Sequence, residues 1–167
     1  ALPPGQFAHF VINDLNRSTY CFFKCVRERY AELAEKIRLT PYAMDEQRAC
    51  RDVSQDPADE LEVARRFWVR HRQNFGGRQG PTCGWTYGSK SRTPLSTDAE
   101  FARQELYKAC DRLRPAEVHN RPAIELVQHY ASGNAMIYLD PPYDPDTRET
   151  KIESKQDYAH EMSTADH

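Results

Sequence analysis

A short polar motif, Asp140-Pro141-Pro142-Tyr143, places hydrogen-bond acceptors beside an aromatic ring. It directly follows the apolar residues 135–139. The two prolines lack backbone N–H donors and fix two φ angles, so the turn is stiff and the Pro141 carbonyl is left to accept an outside donor. Asp140 adds a second acceptor, and Tyr143 adds a flat ring. This combination suits an exocyclic amino group on a planar base, whereas the simpler interpretation is a rigid turn that ends a strand.

Two further polar side chains follow short β-prone segments. Asp14 follows residues 9–12, and Asn120 ends the segment 115–120. Ligands of open parallel sheets bind at the carboxyl ends of the strands, so these residues and Asp140 are candidates for one binding edge. A carboxylate at the position of Asp14 can accept both ribose hydroxyls of an adenosyl cofactor. The alternative role for Asp14 is the N-cap of the helix that follows.

The charge is distributed unevenly along the chain. Residues 63–97 contain seven arginines and lysines and no carboxylate, a local charge of +7, while the other residues carry 16 basic and 25 acidic side chains, which gives −9. Five aromatic residues and five glycines are interspersed in or beside the basic ones. Arginines alternating with aromatic rings suit contacts to phosphates and bases, so this window predicts a nucleic-acid partner. A solvated basic helix face followed by a flexible loop is the alternative.

These candidate residues need a scaffold, and the apolar spacing predicts one. Strands are predicted at residues 9–12, 115–120 and 135–139, and helices at 20–38, 44–51, 58–72, 99–112 and 122–130. Alternating strands and helices are typical of an open parallel α/β sheet. The mostly helical residues 41–112 then form an insertion between strands.

Five segments in a fixed order resemble the Dam-type and phage-type N6-adenine DNA methyltransferases. They are Val11-Ile12-Asn13-Asp14-Leu15-Asn16, residues 72–77 with Gly84-Trp85, Asn120-Arg121-Pro122-Ala123, Tyr138-Leu139-Asp140-Pro141-Pro142-Tyr143, and residues 158–162 with Asp166-His167. The resemblance implies an α/β fold, a partial Rossmann-like methyltransferase sheet formed by residues 1–40 and 113–167. It also implies that residues 41–112 are a helical target-recognition insertion.

The resemblance also implies roles for individual residues. Asp140, Pro141, Pro142 and Tyr143 would be the catalytic turn, which acts on adenine N6 of a flipped-out base. Asp14, Asn120 and Asp140 would bind S-adenosylmethionine, although the family often has Asp at the position of Asn120. The DNA-contacting candidates in the basic window are Arg70, Arg72, Gln73, Asn74 and Arg78. Arg can read guanine edges, and Gln or Asn can read adenine edges.

Other sequence features limit the location and the partners. No run is long and apolar enough for a membrane span, and no signal peptide opens the chain. The five cysteines lack paired spacing, and Thr164 stands where a zinc-protease motif beginning at His160-Glu161 needs its second histidine. We therefore expect reduced thiols, no metal and a cytoplasmic protein. The resemblance implies a monomer of bacterial or phage origin whose partner is double-stranded DNA.

The glycine-rich cofactor loop expected before the ribose-binding acid is absent, because only thirteen residues precede Asp14. We therefore expect a piece of a longer enzyme, incomplete at both ends, or a decayed copy. Three alternatives stay open at this point: a catalytically inactive DNA-binding fragment, an enzyme that methylates cytosine N4 or RNA, and an α/β domain that merely has a basic surface.

Overall fold

The computed structural model describes residues 9–75, 80–87, 95–131 and 135–140, and for residues 95–103 it describes the backbone alone. The elements in chain order are β1 Phe10–Asn13, α1 Arg17–Glu28, α2 Tyr30–Leu39, α3 Met44–Cys50, a short 3-10 helix Val53–Gln55, α4 Glu60–Gln73, α5 Leu95–Leu113, β2 Ala116–His119 and α6 Ala123–Tyr130. The protein is mixed α/β and mostly helical. Among the described helices, none is long and apolar enough to cross a membrane.

The two strands pair in parallel although more than a hundred residues separate them in sequence. Phe10 lies opposite Ala116, and the register continues to Asn13 opposite His119. Helices α1 to α5 form the connection, because a parallel pair requires a long crossover. The predicted parallel pairing of the first two strands is confirmed, and within the described part of the chain the sheet has these two strands.

Short polar side chains fix where the main helices begin. The Asn16 side chain accepts a hydrogen bond from the Ser18 amide at 2.9 Å and caps α1. Asp59 caps α4 in the same way, through the Leu61 amide at 3.1 Å. Such caps satisfy amides that have no partner inside the helix.

The prediction of one helix over residues 20–38 is wrong, because the structure has two helices there. The chain leaves helical geometry at Arg29, where φ is −135°. The bend directs α2 against α5, and the rings of Tyr30 and Tyr107 meet edge to face with centroids 5.8 Å apart. The sequence contains neither Gly nor Pro at this point, so the apolar spacing alone could not locate the break.

One apolar core joins segments that the sequence assigned to different regions. It includes Val26 of α1, Leu33 of α2, Leu61 of α4 and Leu106 of α5. The helices of residues 41–112 therefore share their core with residues 1–40, and the division into catalytic and inserted regions stays a prediction. All five cysteines are free thiols, and burial raises the pKa of Cys25 and of Cys50 to about 11.

The predicted strand at residues 135–139 is also wrong. Residues 135–140 have no regular secondary structure, and Met136, Ile137, Tyr138 and Leu139 are all exposed, Tyr138 by 83%. A strand needs backbone partners as well as β-prone residues, and no neighbouring strand pairs with this segment among the residues that the structure describes. Asp140 is exposed at the end of this irregular segment.

Candidate functional site

The carboxyl ends of β1 and β2 bring Asp14 and Asn120 together, as the parallel arrangement predicts. The Asn120 amide nitrogen donates to the backbone carbonyls of Asp14 and Leu15, both at 2.8 Å. The Asp14 amide donates to the His119 carbonyl at 3.2 Å, which extends the strand pairing by one residue. Two of the three predicted cofactor residues therefore lie at one edge of the sheet. The hydrogen bond from the Asn120 side chain to the Asp14 carbonyl joins them directly.

The Asp14 carboxylate is half-buried and shapes the turn before α1. One of its oxygens accepts a hydrogen bond from the Asn16 amide at 2.8 Å. Asp14 is not the N-cap of this helix, since Asn16 occupies that position. The carboxylate is therefore held at the strand end by a local turn, in an orientation set by the backbone.

The first half of the basic window is neutralised inside the protein. Arg65 pairs with Glu46 and Glu62, at 2.6 Å to each, and Arg66 contacts Glu62 at 3.3 Å. Both guanidinium groups lie mostly buried against these carboxylates. Two of the window's seven charges therefore stabilise the contact of α4 with its neighbours and add little to a positive surface.

Three of the five predicted DNA-contacting residues are buried: Arg70, Gln73 and Asn74. The Arg70 guanidinium forms two hydrogen bonds with the Asp56 carboxylate, at 3.0 and 2.9 Å, and donates to the Cys50 carbonyl at 2.8 Å. The charge of Arg70 is therefore used inside the protein, and its contact with DNA stays a prediction.

The amides of Gln73 and Asn74 are engaged in the same way. Gln73 donates to the Pro41 carbonyl at 3.0 Å, and Asn74 accepts from the Gln47 side chain at 2.8 Å. Neither amide is placed to read a base edge while it holds these internal partners. Their role in this structure is to fix the end of α4.

The chain after α4 folds back on itself and exposes two aromatic rings. Asn74 forms an antiparallel bridge with Trp85, and the Phe75 amide donates to the Gly84 carbonyl at 2.9 Å. Phe75 and Tyr87 are 70% and 74% exposed. We call residues 74–75 and 80–87 the hairpin segment. Among the described members of the predicted set, Arg72 is the exposed one, and it lies at the base of the hairpin segment on the last turn of α4.

A family model for D12 class N6 adenine-specific DNA methyltransferases matches residues 3–166. The chain belongs to this family. The match confirms the resemblance seen in the sequence and identifies the chain as an enzyme of the adenine-specific DNA methyltransferase type. No curated protein matches it at a significant level.

The methyltransferase match includes the predicted catalytic turn, but the structure describes one of its four residues. Asp140 is exposed, whereas Pro141, Pro142 and Tyr143 lie outside the described residues, as does the predicted DNA contact Arg78. Among the residues that are described, no group of three or more His, Cys, Asp or Glu side chains is arranged to hold a metal ion.

An acid-dependent loss of stability should originate at Glu62 of the methyltransferase. Burial tends to raise the pKa of this carboxyl, but hydrogen bonds from Arg65 and Lys36 outweigh it and lower the pKa from about 4.5 to about 2. A carboxyl whose pKa is lower in the folded protein than in the unfolded chain stabilises the fold at pH values above its pKa in the unfolded chain. This stabilisation disappears as the pH falls towards its pKa in the folded protein. We expect the free energy of unfolding to fall by about 3 kcal/mol between neutral pH and pH 2 through this group alone.

Urea denaturation at a series of pH values measures this loss. The Glu62→Gln variant is the control, because it removes the titrating group while keeping the shape of the side chain. Its free energy of unfolding should depend less steeply on pH below about pH 4.5. Identical slopes in the two proteins would show that Glu62 is not the origin.

Proposed function

We propose that this chain transfers a methyl group from S-adenosylmethionine to N6 of adenine in double-stranded DNA. The observation that carries the proposal is the family match, which extends over residues 3–166 and includes Asp140-Pro141-Pro142-Tyr143. The parallel pair β1–β2, with polar side chains at its carboxyl ends, supports a Rossmann-like sheet as the scaffold.

The chemistry requires the enzyme to make a poor nucleophile more reactive. The lone pair of adenine N6 is delocalised into the ring, and hydrogen bonds from N6 to the Asp140 carboxylate and the Pro141 carbonyl would localise it on nitrogen. Tyr143 would stack on the base and hold it in line with the methyl donor, so catalysis is mainly positioning and electrostatics. N6 must leave the duplex stack to reach these groups, and we therefore propose base flipping.

The donor set at the strand ends fits an adenosyl cofactor. S-adenosylmethionine, when bound, supplies an activated methyl group on a sulfonium. Asp14 offers a half-buried carboxylate for the ribose hydroxyls, in an orientation fixed by the Asn16 amide. Asn120 already donates both N–H bonds of its amide to backbone carbonyls, so its carbonyl oxygen is the atom we assign to the cofactor's adenine.

The DNA-contacting surface that we propose is smaller than the basic window. It consists of Arg72 and the exposed rings of Phe75 and Tyr87, together with Arg78, which the resemblance adds. Arg72 supplies charge for a phosphate or a base edge, and the two rings supply apolar contact. Because Arg70 is fully buried and the Arg65 and Arg66 side chains are mostly buried, we do not include them.

Methyl transfer to unmethylated genomic DNA tests the proposal. The chain is incubated with DNA and S-adenosylmethionine that carries an isotopic label on the methyl group, and the DNA is digested to nucleosides. Labelled N6-methyladenine is the expected product. Labelled N4-methylcytosine, or label in an added RNA alone, would contradict the adenine-DNA assignment.

Titration calorimetry separates the catalytic proposal from a binding module. We expect S-adenosylmethionine to bind to the chain and Asp14→Ala to weaken that binding. DNA binding without any binding of S-adenosylmethionine would instead favour the alternative of a catalytically inactive DNA-binding fragment.

A further inference from the structure

One buried amide side chain holds both flanks of the hairpin segment. Gln47 of α3 is 2% exposed, and its amide nitrogen donates to the Asn74 side chain at 2.8 Å and to the Cys83 carbonyl at 3.1 Å. Asn74 is the first residue of the hairpin segment, and Cys83 lies two residues before Trp85, which pairs with Asn74. The two N–H groups of one side chain therefore connect the two parts of the hairpin segment, residues 74–75 and residues 80–87.

Other contacts from the same part of the chain support the hairpin segment. The Tyr42 hydroxyl donates to the Thr86 carbonyl at 2.8 Å, and the Tyr42 ring meets Trp85 edge to face with centroids 4.6 Å apart. The Thr86 amide of the hairpin segment donates to the carbonyl of Gln73, the last residue of α4, at 2.9 Å. The inner face of the hairpin segment is thus attached to residues 42–47, while Phe75 and Tyr87 remain on the exposed side.

Gln47 differs from these aromatic contacts because its contribution depends on hydrogen bonding alone. A buried amide that loses its acceptors is unfavourable, so Gln47 stabilises only those loop conformations that place both acceptors correctly. Apolar side chains at this position would fill the space without specifying the distance between the two flanks. Gln47 therefore favours one conformation of the hairpin segment.

We propose that Gln47 is a positioning residue for DNA binding, which holds the hairpin segment in the conformation that presents Phe75 and Tyr87 to the duplex beside Arg72 of α4. Gln47 itself is buried and does not touch DNA. The inference rests on the proposed function, and it adds a determinant of DNA affinity that lies on α3, outside the basic window.

The variants Gln47→Leu and Gln47→Glu test this role in the whole chain. We expect both to weaken binding to a fluorescent pool of random-sequence duplexes by about tenfold at fixed salt and neutral pH, because the loop no longer holds its contacting residues in place. Gln55→Glu is the matched control. It introduces the same charge at an exposed position of a nearby turn and should change the dissociation constant by less than about twofold.

The pH dependence distinguishes hydrogen bonding from a general loss of structure. A protonated carboxyl can donate one hydrogen bond, and burial raises a carboxyl pKa. The DNA affinity of Gln47→Glu relative to wild type should therefore recover in part between about pH 8 and about pH 6, while that of Gln47→Leu should not. Equal pH profiles for the two variants would overturn the hydrogen-bonding role.

The Cys83 thiol reports on the loop without DNA. Cys83 is the partly exposed member of the five cysteines, the other four being buried. Its rate of labelling under native conditions should rise several-fold in Gln47→Leu and stay unchanged in Gln55→Glu. An unchanged rate in Gln47→Leu, or wild-type DNA affinity, would overturn this inference alone. Failure of the wild-type chain to bind any DNA would overturn the proposed DNA binding together with it.

Discussion

Replacing Asp140 with alanine is expected to lower the rate of methyl transfer by about 10³-fold while the dissociation constant for DNA changes by less than about threefold. A single preorganised electrostatic contact to a reacting group contributes roughly 10²–10³ in rate, and the carboxylate is proposed both to orient adenine N6 and to localise its lone pair. Asp140 is exposed at the end of residues 135–140, so its removal leaves no cavity in the core. The loss should therefore appear in catalysis and not in folding.

Single-turnover methyl transfer and DNA binding by fluorescence anisotropy measure the two quantities separately. Asp45→Ala is the matched control, since Asp45 is an exposed aspartate on α3 whose side chain is 94% accessible. Asp140→Asn retains one acceptor oxygen and should keep more activity than Asp140→Ala. Full activity of Asp140→Ala would show that the Asp-Pro-Pro-Tyr turn is not the catalytic group of this protein.

The parts of the fold that the sequence predicted correctly depend on local patterns and on one topological rule. Asp14 and Asn120 are 106 residues apart, yet their convergence follows from chain order, because the carboxyl ends of parallel strands share an edge. Helices α3, α4 and α6 were also predicted to within about two residues, since each is a continuous segment with its own start or stop signals.

Two of the differences share another cause, because each depends on a partner that is remote in sequence. The charge count gave residues 63–97 a local charge of +7, but Arg65 is neutralised by Glu46, and Arg70 by Asp56, both outside the window. Residues 135–139 have the composition of a strand, yet a strand forms only where another strand supplies hydrogen bonds. The spacing of residues along the sequence shows neither which carboxylate pairs with a given arginine nor whether a second strand lies beside a β-prone segment.

Arg70 allows the sharpest comparison between a structural and a DNA-contacting role. Its side chain is fully buried, the Asp56 side chain is 5% exposed, and the two form a bidentate pair. We expect Arg70→Met to lower the free energy of unfolding by about 3–5 kcal/mol, because it leaves the Asp56 carboxylate buried with the Ser18 hydroxyl at 3.0 Å and the more distant Arg66 guanidinium at 3.9 Å as partners. If Arg70 contacted DNA instead, the same substitution would weaken DNA binding with little change in stability.

A double-mutant cycle with Asp56→Leu isolates the pair. Removing both charges replaces the ion pair by apolar side chains, so the double variant should be more stable than Arg70→Met alone, with a coupling energy of at least about 1 kcal/mol. Arg72→Ala, two residues further along α4 and exposed, should change the free energy of unfolding by less than about 0.5 kcal/mol. An Arg70→Met protein that unfolds at the wild-type denaturant concentration and has lost DNA affinity would return Arg70 to the DNA interface. The expected result places the boundary of that interface between Arg70 and Arg72, where α4 changes from a buried ion-pair network to the exposed base of the hairpin segment.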